Sequence, residues 1–212
     1  MLREDQIARG PKEKVAEGVH DQPIVGQAPV PVDNPQEVWT ERRARLLSIG
    51  QWTAFGKLAL RSEGQAWAAT LYWRQSGEDY QIRLTGPFGG GGLQIEGDPS
   101  TVQVRTADNE VYTATNPEAL LYQHVGWHMP LAGLRYWILG RVAPNALTEK
   151  VFIDVGGRLV RFNQLGWQVN YYDYRDIDNL EMPRKISLEN NQVTASVLIS
   201  RWTLEEPQSE IE

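Results

Sequence analysis

The chain has 212 residues, enough for one sizeable domain, and its 21 Lys+Arg against 27 Asp+Glu give a formal net charge of −6. It carries no basic run of the kind that grips phosphate backbones, so nucleic acid is not an expected partner, and docking on anionic lipid by charge alone is disfavoured. Without cysteine there is no disulfide framework, thiolate nucleophile or Cys-ligated zinc site, and no apolar run reaches the ~18 residues of a membrane-spanning helix.

Residues 1–33 read as a Pro-rich tail. Pro11, Pro23, Pro29 and Pro31 fall here, aromatic residues do not, and such a segment buries too little apolar surface to offset its ordering entropy. We expect a disordered tether with a reach on the order of 30 Å. Met1-Leu2-Arg3-Glu4-Asp5 lacks the apolar region of a signal peptide, which fits a cytosolic protein or a chain that begins downstream of a removed export signal.

Residues 34–206 read as one domain. Asn34-Pro35 offers a cap and a first-turn proline for a helix that places Val38, Trp39, Leu46 and Ile49 on one face, with Gly50 ending it. From Trp52 the period changes to two. Trp52, Ala54, Gly56, Leu58 and Leu60 share a face, as do Trp67, Ala69, Leu71 and Trp73, and then Tyr80, Ile82 and Leu84. Leu93/Ile95, Val102/Val104 and Val111/Thr113 continue the alternation across short turns, the pattern of an antiparallel meander with one side in water. Asn116-Pro117-Glu118 opens a second helix through Val125, and Met129-Pro130 a third over Leu131–Leu139 that is apolar on most sides. Strands resume at Arg158–Gln164, Trp167–Tyr174, Lys185–Glu189 and Gln192–Leu204.

The fold class that follows is α+β: about eleven antiparallel strands in a strongly curved sheet, with three short helices over its apolar face. The alternation places Leu58, Leu60, Trp67, Leu71, Trp73, Ile82 and Leu84 on the concave side, under Leu134, Trp137 and Ile138 of the third helix. Whether the curl encloses a packed core or a cavity is left open by periodicity.

Four segments resemble the outer-membrane lipoprotein receptor family LolB: Leu71-Tyr72-Trp73-Arg74-Gln75-Ser76-Gly77, Leu84-Thr85-Gly86-Pro87-Phe88-Gly89, Met129 through Gly140, and Arg201-Trp202. The third, a Pro-Leu turn followed by Leu-Arg-x-Trp-Ile-Leu-Gly, is the most specific. The resemblance, spanning Trp39 to about Leu204, implies a half-barrel with a helical lid over a hydrophobic cavity. It implies a monomer that receives triacylated lipoproteins from a periplasmic, LolA-like carrier and inserts them into the inner leaflet of the outer membrane, without a cofactor. It further implies a lipid-anchored protein on the periplasmic face, although the family's lipidated Cys is absent here. Phe88 stands where the family usually has Leu.

Other motifs point elsewhere only weakly. Gly86-Pro87-Phe88 and the glycines through Gly92 lack the Gly-Lys-Ser/Thr of a phosphate loop, and a strand follows. We read Pro87 and Phe88 as a membrane-insertion loop, because a large apolar side chain on a glycine-flanked tip has nothing to pack on. His124 and His128 have metal-ligand spacing but no third ligand, and the Asp173, Asp176, Asp178 cluster reads as a solvated hairpin. Nucleophile elbows and dinucleotide fingerprints are missing, so no enzyme is expected. The competing readings are a lipid-sensing or lipid-carrying module of the same fold, and a closed β-domain that binds proteins.

Overall fold

The computed structural model describes residues 35–62, 65–87, 92–125 and 129–205. Residues 1–33, the Asn34 cap, Phe88 and His128 lie outside the described residues. Helix α1 (Pro35–Leu47) leads into six strands: β1 (Gln51–Ser62), β2 (Gln65–Ser76), β3 (Asp79–Thr85), β4 (Gly92–Gly97), β5 (Val102–Arg105) and β6 (Val111–Ala114). Helices α2 (Pro117–Val125) and α3 (Leu131–Trp137) follow. Five strands complete the domain: β7 (Thr148–Ile153), β8 (Leu159–Gln164), β9 (Trp167–Ile177), β10 (Leu180–Glu189) and β11 (Val193–Glu205).

All strands join one eleven-stranded sheet in the order β6-β5-β4-β3-β2-β1-β11-β10-β9-β8-β7. The first and last strands in sequence are therefore central neighbours, whereas β6 and β7 are its two free edges. The single connection between those edges carries α2 and α3. Because the sheet curls and buries one face, that connection runs across the concave side, and both helices are laid over it. Alternate turns of a meander fall at the same end. The β1–β2, β3–β4, β5–β6, β8–β9 and β10–β11 connections therefore share one end, and the β2–β3, β4–β5, β7–β8 and β9–β10 turns the other.

The central pair β1 and β11 meets closely at an irregularity between Phe55 and Gly56. A Cβ at Gly56 would lie 2.2 Å from the Leu198 carbonyl oxygen and 2.9 Å from the Ile199 Cα, so only glycine allows this approach. Alternation holds along β1, and along β11 as far as Ile199. Trp52, Ala54 and Leu60 are buried on β1 and Val193, Ala195, Val197 and Ile199 on β11, while Lys57 is exposed.

Two strands exceed what periodicity predicts. β7 was not expected, because a left-handed Lys150 (φ 51°) and register shifts from Glu149 to Ile153 break its alternation and leave Val151 and Phe152 both exposed. β10 begins at Leu180 rather than Lys185. Pro183 sits within it at a register shift, where β10 pairs with β9 but not yet with β11, so the missing N–H removes no ladder bond on that side. The Pro183 carbonyl accepts from Trp202 Nε1 at 2.8 Å. β9 and β10 join through Asp178 and Asn179, both left-handed (φ 53° and 60°), the backbone of a two-residue hairpin.

Helix α2 starts as predicted. Asn116 Oδ1 accepts from the Ala119 amide at 2.9 Å, and Pro117 takes the first position. Helix α1 packs at the end of the sheet that holds the β9–β10 turn. Arg42, buried, donates to the Glu181 carbonyl and lies 5.4 Å over the Tyr174 ring, and Arg45 donates to the Asn179 carbonyl at 2.5 Å. Arg158 reaches the other side of this cluster, pairing with Asp154 and Glu181, each at 2.7 Å. Burial lowers the Arg42 pKa, against the opposing pull of Tyr174 and Glu181.

Candidate functional site

The concave face of the sheet and the two crossing helices flank a hollow whose lining, among the described residues, is apolar throughout. The sheet contributes Leu58, Leu60, Leu71, Trp73, Ile82, Leu84, Ile95, Ile186, Leu188 and Val197, and the helical connection Leu121, Met129, Leu131, Leu134, Trp137 and Ile138. On the same strands Lys57 and Arg83 point to solvent, and Gln81 bonds Glu96 on the outer face. The hollow is covered by α2 and α3, and no described side chain of α1 lines it.

Trp67 is the exception among the predicted lining residues. It pairs with Leu60 and shares its face, but it stands near the β1–β2 hairpin end, partly buried against the core and outside the hollow's lining. Alternation sets the face; it does not say how far along a strand the hollow extends. Pro87 is exposed at the end of β3, in the connection to β4, whereas Phe88 lies outside the described residues.

Several lining residues escaped prediction. Ile95, Ile186, Leu188 and Val197 carry the period-two signal, but their convergence with β1–β3 needs the strand order. Leu121 faces the sheet from α2. Met129 belongs to no regular element and left no signal in the pattern.

Among the described residues, both indoles that border the hollow have their N–H satisfied away from it. Trp73 Nε1 donates to Gln75 Oε1 at 3.0 Å, and Gln75 Nε2 donates onward to the Gly77 carbonyl. Trp137 Nε1 donates to Gln164 Oε1 at 2.8 Å. Gln164, 2% exposed, also accepts from the Ala143 amide and donates to the Ala143 carbonyl and to Thr148 Oγ1. The Trp137 carbonyl accepts from Tyr171 Oη at 2.7 Å. These bonds fasten the end of α3 to β8 and β9 and leave no polar atom of the described lining free to hold water inside. Beyond the hollow the aromatic core continues, with Trp52 5.3 Å from Trp73 and 5.6 Å from Trp202.

The hollow is narrow. Its free volume is about 70 Å³, against the ~150 Å³ of an apolar cavity that takes up one benzene. His124 stacks on Tyr112 with ring centroids 3.6 Å apart, at the seam between α2 and β6. Among the described residues no cluster of His, Cys, Asp or Glu is placed to hold a metal ion, and no helix is long and apolar enough to cross a membrane.

The same fold recurs in solved structures of low sequence identity. A LolA superfamily protein from Nitrosomonas europaea superposes with a TM-score of 0.53 at 10% identity, over 82% of this chain and 94% of that one. A DUF1329 family protein from Desulfovibrio piger shares the fold at a TM-score of 0.52 and 8% identity, covering 85% of this chain and 95% of that one. The family model described as outer membrane lipoprotein LolB matches residues 50–202. Over 176 residues the chain is 39% identical to the outer-membrane lipoprotein LolB of Nitrosococcus oceani, covering 83% of this chain and 88% of the relative. It is 36% identical to that of Alkalilimnicola ehrlichii, with the same coverage of each chain. The chain belongs to the outer-membrane lipoprotein LolB family.

Proposed function

We infer that this chain is an outer-membrane lipoprotein receptor: it accepts lipoproteins from a LolA-like periplasmic carrier, holds their acyl chains in the hollow and inserts them into the outer membrane. The observation that carries the reading is the dry hollow under α2 and α3, whose lining offers only apolar contact.

At about 70 Å³ the hollow is too small for an acyl chain, so uptake requires α2 and the start of α3 to lift from the sheet. Leu121, Met129 and Leu131 fill the space that acyl methylenes would take. Apolar contacts have no direction, so an entering chain replaces them with little net change. The far end of α3, tied down through Trp137, is the fixed side of that motion. Each buried CH₂ is worth about 0.8 kcal/mol, so small differences in burial set the direction of transfer without ATP or a cofactor. A site that refills itself when empty holds its cargo less tightly than an open cavity would, which favours final release to the bilayer.

Insertion is assigned to the β3–β4 connection with Pro87 and Phe88. Burial of a Phe side chain at a bilayer interface is worth roughly 1.5–3 kcal/mol, enough to orient the protein and weak enough to reverse. The test is a two-step assay with labelled lipoprotein, scoring carrier-to-receptor and receptor-to-liposome transfer separately. Phe88→Glu is expected to leave the first step near the unmutated rate and to block the second, because a carboxylate resists hydrocarbon. Phe88→Leu should support both steps. Unchanged insertion by Phe88→Glu would reduce the connection to a simple turn.

A further inference from the structure

The hollow is not isolated. A groove of about 270 Å³ adjoins it, and Trp73, Ile82 and Leu131 line both. On its outer side the groove turns polar, with Gln75 on β2, Tyr80 on β3, Glu78 and Asp98 in the β2–β3 and β4–β5 turns, and Arg135 on α3. A chain molecule in the hollow that carried a polar end would therefore have a place for that end beside it.

Most polar groups here are already occupied. Asp98 accepts from the amides and hydroxyls of Ser100 and Thr101, and Gln75 is held between Trp73 and Gly77. Arg135 is different. Its Nη2 makes a long 3.3 Å contact with Glu78, whose side chain is 63% exposed, and a 2.8 Å bond to Tyr136 Oη. Its Nε is buried without a hydrogen-bond partner. A guanidinium presents five donors, and an exposed ion pair at that distance contributes little, so a ligand acceptor can displace Glu78 at small cost.

We propose that this groove binds the carbonyl-rich polar end of an acylated peptide, the ester and amide oxygens next to its acyl chains, with Arg135 as the donor and Glu78 as the internal competitor. The assignment rests on the reading of the hollow as an acyl site and adds to it a contact that distinguishes an acylated peptide from bare hydrocarbon. Arg135 positions the ligand's head at the mouth, and the apolar lining takes the chains.

Two probes separate the claims: diphenylhexatriene, a hydrocarbon without acceptors, and a synthetic tripalmitoyl-cysteinyl peptide of neutral sequence that displaces it. Arg135→Met is expected to weaken the lipopeptide by about tenfold or more, the value of a charge-assisted bond lost, with diphenylhexatriene uptake unchanged. Arg135→Lys should recover part of that loss. Glu78→Gln, at an exposed position, should tighten the lipopeptide several-fold and leave the hydrocarbon unaffected, a result that does not depend on how well the Arg135 variants fold. Equal lipopeptide binding by the unmutated, Arg135→Met and Glu78→Gln proteins would overturn the groove assignment while leaving the hollow intact. Failure of the unmutated protein to take up either probe would overturn the hollow and the groove together.

Discussion

Single residues decide how tightly the centre of this sheet closes. Gly56 is the clearest case, since any side chain there meets the Leu198 carbonyl across the β1–β11 pair. Gly56→Ala is expected to cost about 3 kcal/mol, by forcing the two central strands apart. A urea unfolding curve measures it, and an unchanged midpoint would mean that the strands already have slack. Gly56 was visible in the sequence only as one member of an apolar face. Its irregular pairing depends on a strand well over a hundred residues away, and no local pattern carries that. Gln164 is similar: in the sequence it is the polar end of a strand, whereas in the fold it is a buried junction for Trp137, Ala143 and Thr148.

At the scale of elements, that junction ties down the end of α3, the side of the lid that stays fixed in the proposed uptake. Gln164→Leu keeps the volume roughly constant but leaves the Trp137 indole N–H and the Ala143 amide and carbonyl unpaired. The expected loss is roughly 3 kcal/mol, accompanied by faster hydrogen exchange at Ala143 and in the last turn of α3. If exchange there does not change, α3 is held by packing alone and the hinge is elsewhere. Helix α1 answers to different forces. It has an apolar face ending in the fully buried Leu46, yet its seat is set by Arg42 and Arg45 on the β9–β10 hairpin. Helical periodicity located its face and could not place it at the end of the sheet instead of over the hollow. β7 and the first half of β10 were missed because bulges and a proline erase the alternation that marks a strand.

For the whole molecule, the buried phenols link stability to pH. Burial, reinforced by Asp98 and opposed by Arg135, pushes the Tyr80 hydroxyl up to about 12. Burial likewise raises Tyr171 and Tyr174. An unfolded tyrosine titrates near ~10. The folded state thus holds these protons more tightly, and their contribution is fully present below pH ~10 and lost as the pH rises through the folded values. Urea midpoints should fall between pH 10 and 12, less steeply in Tyr80→Phe. A flat profile over that range would show that the phenols ionise without penalty in the fold.

Alternation of period two, helix caps and the order of a few motifs were determined by the sequence itself, because each depends on neighbours within a turn or a strand. They gave the half-barrel class, the apolar faces of Leu58, Leu71, Ile82 and Trp137, and the family. Tertiary structure alone decided the rest. Closure of β1 on β11 turns eleven local faces into one wall, and the path from β6 to β7 draws α2 and α3 across it. That path explains why the hollow is covered, why Met129 helps fill it and why Arg135 meets Glu78 at its edge. Such meetings are set by strand order and register summed over the whole sheet, and no single stretch of sequence contains that sum.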